Sequence, residues 1–374
     1  MQVTTVSSKN IADFKQRLQH RIEAGFKPNF SIIFCSPKQP ITELQELMNQ
    51  HHINCIGCTT AGEIVDDMIL HESIVALVFE LNPNYISAHL QEVDESAFTT
   101  AQQIGNKIAT QIGASSVMIL GGGLKNDGSE IVQGFKAALK NTAQLFGGLA
   151  GDDKALQKTQ VFNNHTISDN GIAAVAFDEE KISIKGLAIS GWKGIGPIME
   201  VTKSANNIVY EIDDTPVVSL YKKLVNLNVD HPFDMVLEDG TKYPLQVFRE
   251  NSTPVLRAPL FVSENGGLMF PGGIKEGEKV RFCVPPDFDV IDSTISEFSA
   301  LKNAKGDADA LVLFSCFARH IAFGPLIKKE IQGIQKVWNK PMIGFFTYGE
   351  IGNAPDSESD FHNETCSLLL IGEK

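Results

Sequence analysis

One eight-residue string occurs twice in this chain, and it constrains the fold more than any other feature. The string G-C-T-T-A-G-E-I spans residues 57–64, and G-F-F-T-Y-G-E-I spans residues 344–351. Glycine, threonine, glycine, glutamate and isoleucine recur at the same offsets, and each copy follows a short apolar run. This pattern is typical of a strand that ends in a tight glycine turn carrying a carboxylate. The repeat therefore predicts that Glu63 and Glu350 occupy equivalent positions in two copies of one structural unit.

A weaker third copy, L-F-G-G-L-A-G-D-D, spans residues 145–153. Gly151 and Asp152 align with the glycine–glutamate pairs, but this copy lacks the threonine. The surrounding patterns also recur three times, as helix, strand, helix, strand with turn, and strand. This alternation places the chain in the α/β class, with repeated helix-strand-helix-strand-strand units that form mixed sheets.

Residues 181–286 have a different pattern from these units. Short alternating runs between Gly-, Pro- and Asn-rich turns predict a strand-rich segment between the second and third units. A chain of 374 residues is also too long for one ordinary core. We therefore predict an N-terminal domain over residues 1–214 and a C-terminal domain over residues 215–374. The first element is expected to be a helix that begins at Ile11.

Charge and composition argue against several classes of function. The formal net charge is −13 and the sequence has no basic block, so a nucleic-acid partner is not expected. The sequence shows neither the pattern of a signal peptide nor an apolar stretch long enough to span a membrane, which predicts a cytoplasmic protein without membrane contact. The six cysteines would be reduced there, so no disulfide framework is expected.

The two full copies of the repeat supply candidate ligand-binding residues, which are Thr60, Gly62, Glu63, Thr347, Gly349 and Glu350. A glycine turn lets a ligand approach the backbone closely, and the adjacent carboxylate can bind an amine. The same glutamate can instead accept hydrogen bonds within its own unit and only hold the turn together. The sequence is compatible with both interpretations.

The cysteines could form two further kinds of site, a C-x-x-C metal or redox pair and a catalytic nucleophile. Cys55 and Cys58 form a C-x-x-C pair, but they lack two further ligands and lie in a predicted strand, so we interpret them as core residues. Cys316 follows a predicted strand, where a cysteine of lowered pKa could act as a nucleophile. No Cys-His-Asn or Ser-His-Asp pattern accompanies it, and we do not predict an enzyme.

Arg319 and His362 are the remaining candidate binding residues, one for an anion and one for a metal. The Arg319 guanidinium could bind a carboxylate or another anion, and it could equally form an ion pair that holds two loops together. A neutral imidazole at His362 could ligate a metal or haem iron. His362 and Asn363 could equally form structural hydrogen bonds.

Six short strings follow one another along the chain in an order that resembles the FIST (F-box and intracellular signal transduction) family. They include G-C-T-T-A-G-E-I, F-G-G-L-A-G-D-D, G-W-K-G-I-G-P, F-S-C-F-A-R, G-F-F-T-Y-G-E-I-G-N and F-H-N-E-T. The resemblance covers an N-terminal FIST domain over residues 30–214 and a C-terminal one over residues 215–366. The family motifs correspond here to Gly62-Glu63, Arg319, Tyr348, Gly349-Glu350 and His362-Asn363.

This resemblance implies a sensor in signal transduction rather than an enzyme. The chain is similar to the bacterial stand-alone branch that binds haem, senses nitric oxide and controls a partner histidine kinase or a cyclic-di-GMP pathway. In that case His362 would be the axial ligand of the haem iron, and Arg319 would pair with a propionate. Tyr348 and Phe345 or Phe346 would contact the porphyrin.

The resemblance also allows a receptor without haem. Such a protein would bind a small polar metabolite, for example an amino acid. Glu63 or Glu350 would then bind the amine, and Arg319 would bind the carboxylate.

Overall fold

Three units of one design follow each other along the chain in the computed structural model. The structure describes residues 1–113, 115–139, 143–229, 236, 240, 242–249, 253–287, 289–355 and 357–374. Helices and strands alternate over most of this length, and the sheets are mixed. The predicted α/β class is confirmed.

Units 1 and 2 have the same order of elements. Unit 1 comprises β1 (Gln2–Ser8), α1 (Ile11–Glu23), β2 (Phe30–Cys35), α2 (Ile41–Gln50), β3 (Asn54–Thr59), β4 (Glu63–Val65), β5 (Met68–Leu70) and β6 (Ile74–Glu80). Unit 2 comprises β7 (Ile86–Glu92), α3 (Ala97–Gln111), β8 (Ser115–Gly121), α4 (Gly128–Leu139), β9 (Leu145–Leu149), β10 (Val161–Asn163), β11 (Ile167–Ser168) and β12 (Gly171–Asp178).

Unit 3 begins in the same way but is interrupted by an inserted segment. After β13 (Ile182–Ile189) the inserted segment comprises β14 (Lys193–Gly194), β15 (Met199–Ala205), β16 (Ile208–Ile212), β17 (Thr215–Pro216), α5 (Val217–Val225), β18 (Leu245–Phe248), β19 (Val255–Arg257), β20 (Phe261–Val262), β21 (Leu268–Met269) and β22 (Lys279–Val284). The unit then resumes with α6 (Val290–Lys305), β23 (Ala310–Cys316), α7 (Phe317–Phe323), α8 (Ile327–Trp338), β24 (Met342–Thr347), β25 (Glu350–Asn353), β26 (Ser359–His362) and β27 (Cys366–Glu373).

The units exchange hairpins in a ring. The described residues form four sheets, one for each unit and a fourth made by the strands of the inserted segment. The three unit sheets have the strand orders β1-β6-β2-β3-β10-β11, β7-β12-β8-β9-β25-β26 and β13-β27-β23-β24-β4-β5. In each unit sheet the first four strands come from one unit, and the last two are the hairpin of another. Unit 1 therefore completes the sheet of unit 3, unit 2 completes that of unit 1, and unit 3 completes that of unit 2.

Two features of the fold differ from the sequence prediction. A strand, not a helix, opens the chain, because β1 pairs antiparallel with β6 from Gln2 to Ser8. The prediction of an opening helix missed this strand because Q-V-T-T-V-S-S carries little apolar signal. A hairpin also follows each turn, in the places of β4–β5, β10–β11 and β25–β26. These hairpins are short, so they leave almost no periodic pattern.

The strand-rich segment lies inside unit 3. The strand β13 pairs with β27 over its full length and forms the edge of the third sheet. The insertion therefore follows the first strand of unit 3 rather than preceding the unit. The division into residues 1–214 and 215–374 stays a prediction, and three of the four sheets contain strands from both ranges.

The inner faces of the three sheets pack against one another. Phe34 of β2 meets Phe345 of β24 with ring centroids 4.5 Å apart, and Phe345 meets Phe314 of β23 at 5.8 Å. Unit 2 contributes Met118 and Phe146 to the same cluster. Helices cover the outer faces of the sheets. Because the central strands are buried on both faces, they form the continuous apolar runs seen in the sequence.

Among the described residues, each helix is too short or too polar to span a membrane.

Candidate functional site

The three turns marked by the sequence repeat lie side by side. We call them turn 1 (residues 59–63), turn 2 (residues 149–153) and turn 3 (residues 346–350), and they follow β3, β9 and β24. Backbone N–H···O bonds of 2.8–3.1 Å join turn 1 to turn 3, turn 3 to turn 2, and turn 2 to turn 1. The exchanged hairpins bring the turns together, because each hairpin leaves its turn to join a neighbouring sheet.

In turn 1, the Glu63 carboxyl group is bonded entirely within its own unit. The Thr60 hydroxyl donates a hydrogen bond to it. Ser73, next to the start of β6, donates its backbone N–H at 3.0 Å and its hydroxyl at 2.7 Å. Glu63 is completely buried. It therefore ties the turn to the last strand of unit 1.

Turn 3 repeats this arrangement around Glu350. The Thr347 hydroxyl donates to the Glu350 carboxyl group. Thr365, next to the start of β27, donates its backbone N–H at 3.2 Å and its hydroxyl at 2.9 Å. A Cβ atom at Gly349 would lie 2.2 Å from the Phe361 ring, so this glycine makes room for a side chain of the protein. The predicted equivalence of Glu63 and Glu350 is confirmed, and the observed bonds are those of the structural alternative.

Asp152 has a different set of partners in turn 2. Its carboxylate accepts the backbone N–H groups of Leu156, Gln157 and Lys158 at 2.6–2.9 Å. It also accepts the Tyr348 hydroxyl at 2.6 Å. Burial, followed by the charge of Asp152, raises the pKa of Tyr348. Tyr348 therefore links turn 3 to turn 2 as a neutral donor.

Burial also changes the protonation of the repeat glutamates. It raises the pKa of Glu63 to about 7 and that of Glu350 to about 8, against the depressing effect of the hydroxyl donors. The ordinary value is 4.5. Between that value and the raised pKa, the folded protein holds protons that the unfolded chain releases.

We expect this proton uptake to make stability depend on pH. The stabilising effect is complete below pH 4.5 and is lost as the pH rises to about 8, the pKa of folded Glu350. Urea unfolding of the wild type and of Glu350→Gln across this range would measure the effect. The variant is expected to lose less stability as the pH rises, because glutamine does not titrate. Identical pH profiles would contradict a raised pKa at Glu350.

Arg319 lies away from the turns, on α7. Its guanidinium forms a bidentate pair with Glu330 of α8, and both side chains are completely buried. It also donates to the Ser190 carbonyl at 2.6 Å and to the Thr294 hydroxyl at 3.1 Å. Four of its five N–H groups are thus used inside unit 3. This geometry matches the ion pair that the sequence analysis named as the alternative to anion binding.

His362 and Asn363 lie at the end of β26. The His362 Nε2 atom is 3.1 Å from the Gly352 carbonyl oxygen. The Asn363 side-chain oxygen accepts the Ala258 backbone N–H at 3.3 Å, which links unit 3 to the insertion. Burial lowers the pKa of His362 to about 4, so the imidazole is neutral.

The surroundings of His362 leave little room for a haem. One His362 nitrogen already bonds to Gly352, Phe345 lies in the core between the sheets, and Phe346 stacks on His320. A cavity lined by Thr347, Tyr348 and Asn363 has a volume of about 20 Å³, whereas pockets for drug-sized ligands have about 300–1,000 Å³. The residues do not fit a haem in this arrangement, and the predicted haem ligation by His362 stays a prediction.

That small cavity lies on the seam between unit 3 and the insertion. The predicted site residues Thr347, Tyr348 and Asn363 line it, together with Cys316, Phe317, Ala318, Ala258, Leu260 and Pro271. Three of the predicted site residues, from turn 3 and from the loop after β26, therefore lie around one cavity. Arg319, Glu63 and Gly62 do not line it.

Glu364 was not among the predicted site residues; it follows the cavity-lining Asn363 in the chain but does not itself line the cavity. Glu364 is completely buried, and neither carboxyl oxygen has a hydrogen-bond partner. Its counterpart in unit 1 is Glu72, which is exposed and pairs with Lys38. Both glutamates have left-handed backbones, with φ of 60° and 52°. The signal that could have revealed them is a second short repeat, H-E-S at residues 71–73 and N-E-T at residues 363–365.

The candidate cysteines are buried thiols. Burial raises the pKa of Cys55 to about 12, and it raises the pKa values of Cys58 and Cys316 as well. A thiolate nucleophile needs the opposite shift. The interpretation of Cys55 and Cys58 as core residues is confirmed by their burial.

Two family descriptions match this chain along most of its length. The FIST N domain matches residues 29–215, and the FIST C domain matches residues 218–353. This chain belongs to the FIST family.

A curated relative of this FIST protein is known in an archaeon. It is an uncharacterized protein, MJ1623, of Methanocaldococcus jannaschii, and it is 23% identical over 334 residues. The match covers 79% of this chain and 64% of the relative, so the chain spans less than two thirds of the relative's length.

Proposed function

We propose that this FIST protein is a sensor that binds a small polar metabolite through an amine at the seam, with Glu364 as the acceptor. The observation that supports this proposal is the fully buried Glu364 carboxyl group without a partner for either oxygen. Buried polar groups almost always have a partner, so such a group indicates an absent water, ion or ligand. An ammonium group would supply both charge and hydrogen bonds.

The other carboxylates are less suited to this role. Glu63 and Glu350 already accept three hydrogen bonds each from their own units. Arg319 is paired with Glu330. The amine that the sequence analysis assigned to Glu63 or Glu350 is therefore better placed at Glu364, and Arg319 is not available for the carboxylate.

The size of the cavity requires a movement on binding. About 20 Å³ holds about one water molecule. A metabolite would enter only if the insertion moved away from unit 3, to which the chain joins it after β13 and after β22. Ligand binding would thus shift the position of the insertion. A separate chain, such as the histidine kinase or cyclic-di-GMP enzyme that the resemblance implies, would detect this shift.

A ligand screen tests the proposal directly. Thermal unfolding would be followed with amino acids, with polyamines and with haem. We expect an amine to raise the melting temperature, because a ligand at about 100 times its Kd stabilises the folded state by about 2.7 kcal/mol. Glu364→Gln should abolish this rise, whereas the matched Glu72→Gln, in the equivalent turn of unit 1, should retain it. A rise that is equal in both variants would exclude Glu364 as the acceptor.

Haem-based nitric oxide sensing is the second candidate. The neutral imidazole of His362 has the protonation state that iron needs, but the surroundings of His362 would have to open before a haem could reach it. The part of the ligand screen that uses haem tests this second candidate. A Soret band in protein made with haem supplied, lost in His362→Ala, would replace the amine proposal with the haem proposal.

A further inference from the structure

The part of unit 3 that contains Glu364 differs from the equivalent parts of units 1 and 2. We call this part the corner of a unit, and it comprises the loop after β2, β8 or β23 and the residues just before β6, β12 or β27. The corner of unit 1 holds an ion pair between Lys38 and Glu72. The corner of unit 2 holds one between Lys125 and Asp169, 2.9 Å apart. The corner of unit 3 retains the acid as Glu364, but neither of its oxygens has a partner.

A backbone hydrogen bond shows which residues of units 1 and 3 correspond. At the end of β2, Ser36 donates its N–H to the Ser73 carbonyl at 3.0 Å. At the end of β23, Cys316 donates its N–H to the Thr365 carbonyl at 2.9 Å. Ser36 therefore corresponds to Cys316, and the glutamates that precede Ser73 and Thr365 correspond to each other.

A side-chain hydrogen bond three residues further on gives the same alignment. The Gln39 amide donates at 3.1 Å to the carbonyl of the residue directly after β1. The Arg319 guanidinium donates at 2.6 Å to the carbonyl of the residue directly after β13. Since Gln39 corresponds to Arg319, Lys38 corresponds to Ala318. Unit 3 thus has an alanine where unit 1 has the lysine that pairs with the acid.

The alanine leaves space at the seam. Ala318 is buried and lines the small cavity, as does Asn363, the residue before the unpaired glutamate. The cavity wall around Ala318 includes the apolar side chains of Leu260, Pro271 and Phe317. In unit 1 the same position carries an aliphatic chain that ends in an ammonium group. Both the chain and the charge are missing from the corner of unit 3.

The charges around Glu364 do not replace that ammonium group. The charge of Arg319 acts on Glu364, but the guanidinium is paired with Glu330. Burial, followed by the charge of Glu350, raises the pKa of Glu364. The carboxyl group would therefore lose a proton on pairing with a cation. The charge of Glu364 also acts on Cys283 of β22, which indicates that the insertion lies next to the acid.

We propose that the amine bound at Glu364 is a primary ammonium group at the end of an unbranched aliphatic chain, in the position that the Lys38 side chain has in unit 1. This inference rests on the proposed amine site. The ammonium group pairs with the Glu364 carboxylate, and the chain lies along the apolar wall beside Ala318. An α-amino acid bound through its α-ammonium group would bring its own carboxylate close to Glu364. A quaternary ammonium group has no N–H to donate.

The first experiment compares three ligands by thermal unfolding of the full chain. The ligand n-butylamine has the four-carbon chain and the ammonium group of a lysine side chain. Alanine has an α-ammonium group, and tetramethylammonium has a charge without N–H groups. We expect n-butylamine to raise the melting temperature and the other two to leave it unchanged. Glu364→Gln should weaken n-butylamine binding by about tenfold or more, whereas the control Glu72→Gln should retain it.

The second experiment supplies the missing ammonium group within the chain. Ala318→Lys restores the residue of unit 1, and Ala318→Met adds an unbranched side chain without the charge. We expect Ala318→Lys to melt at a higher temperature than Ala318→Met and to bind no n-butylamine. In the Glu364→Gln background, the difference between the two variants should disappear, because the lysine then has no carboxylate to pair with.

These experiments can overturn the inference. Equal melting temperatures of Ala318→Lys and Ala318→Met, or a difference that persists with Glu364→Gln, would exclude this position for the ammonium group. Alanine that stabilises the protein through Glu364 while n-butylamine does not would leave the amine site in place and exclude the alkyl chain. If no amine acts through Glu364, both the amine site and this inference fail. If the Ala318 variants do not fold, n-butylamine binding to the wild type and to Glu364→Gln decides.

Discussion

Replacing Arg319 by methionine is expected to lower the free energy of unfolding by about 3–5 kcal/mol, because it leaves a buried carboxylate without its partner. Arg319 and Glu330 are both completely buried, and the guanidinium also holds the Ser190 carbonyl and the Thr294 hydroxyl. These contacts join α7, α8, α6 and the end of β13 within unit 3. Urea unfolding of the wild type and of the variant measures the effect.

A double variant separates a structural role from a ligand-binding role. Arg319→Met combined with Glu330→Leu removes both charges, and it is expected to regain most of the lost stability, because apolar residues often replace a buried ion pair without loss. If Arg319 instead served mainly to bind a ligand, the single variant would cost little stability. A loss below about 1 kcal/mol, typical of an exposed ion pair, would support that alternative.

Phe34→Ala is expected to destabilise the protein by about 3–5 kcal/mol, the range for a buried phenylalanine. Phe34 is completely buried where the sheets of units 1 and 3 meet, and its ring lies 4.5 Å from Phe345 and 6.2 Å from Phe314. The truncation leaves a cavity between sheets that cannot close, because hydrogen-bonded strands hold both sides. Chemical unfolding followed by far-UV circular dichroism gives the magnitude.

Phe34→Leu is the matched control for this prediction. It retains most of the apolar volume and should cost less than about 1.5 kcal/mol. Equal losses for the two variants would show that the ring contacts matter more than the filled volume. A negligible loss for Phe34→Ala would contradict the packing of the sheets around a common core.

The exchanged hairpins make the three units depend on each other. Each of the three unit sheets ends in two strands from another unit, so a unit in isolation would expose the edge of β3, β9 or β24. Exposed strand edges are prone to pair with other chains. The sequence division at residue 214 cuts through two of the shared unit sheets and through the sheet of the inserted segment, whatever the limits of the FIST domains along the chain.

The candidate site was predictable in part. The repeat identified Glu63 and Glu350 as equivalent, and the weaker copy identified Asp152, because glycine turns after strands leave a local signature. Whether those carboxylates face a ligand or the protein was not predictable, since the donors Ser73 and Thr365 come from strands whose positions depend on the hairpin exchange. The same limit applied to Arg319, whose partner Glu330 lies on the next helix.

The sequence by itself determined the α/β class, the three repeated units, the strands buried on both faces, the strand-rich segment and the membership of the FIST family. These properties follow from local periodicity and short motifs, which record how each segment is buried. The tertiary structure alone decided which sheet each hairpin joins, where the insertion interrupts unit 3, and why Glu364 is buried without a partner while Glu72 is paired at the surface. Those outcomes depend on contacts between residues far apart in the chain, and equivalent local sequences meet different neighbours there.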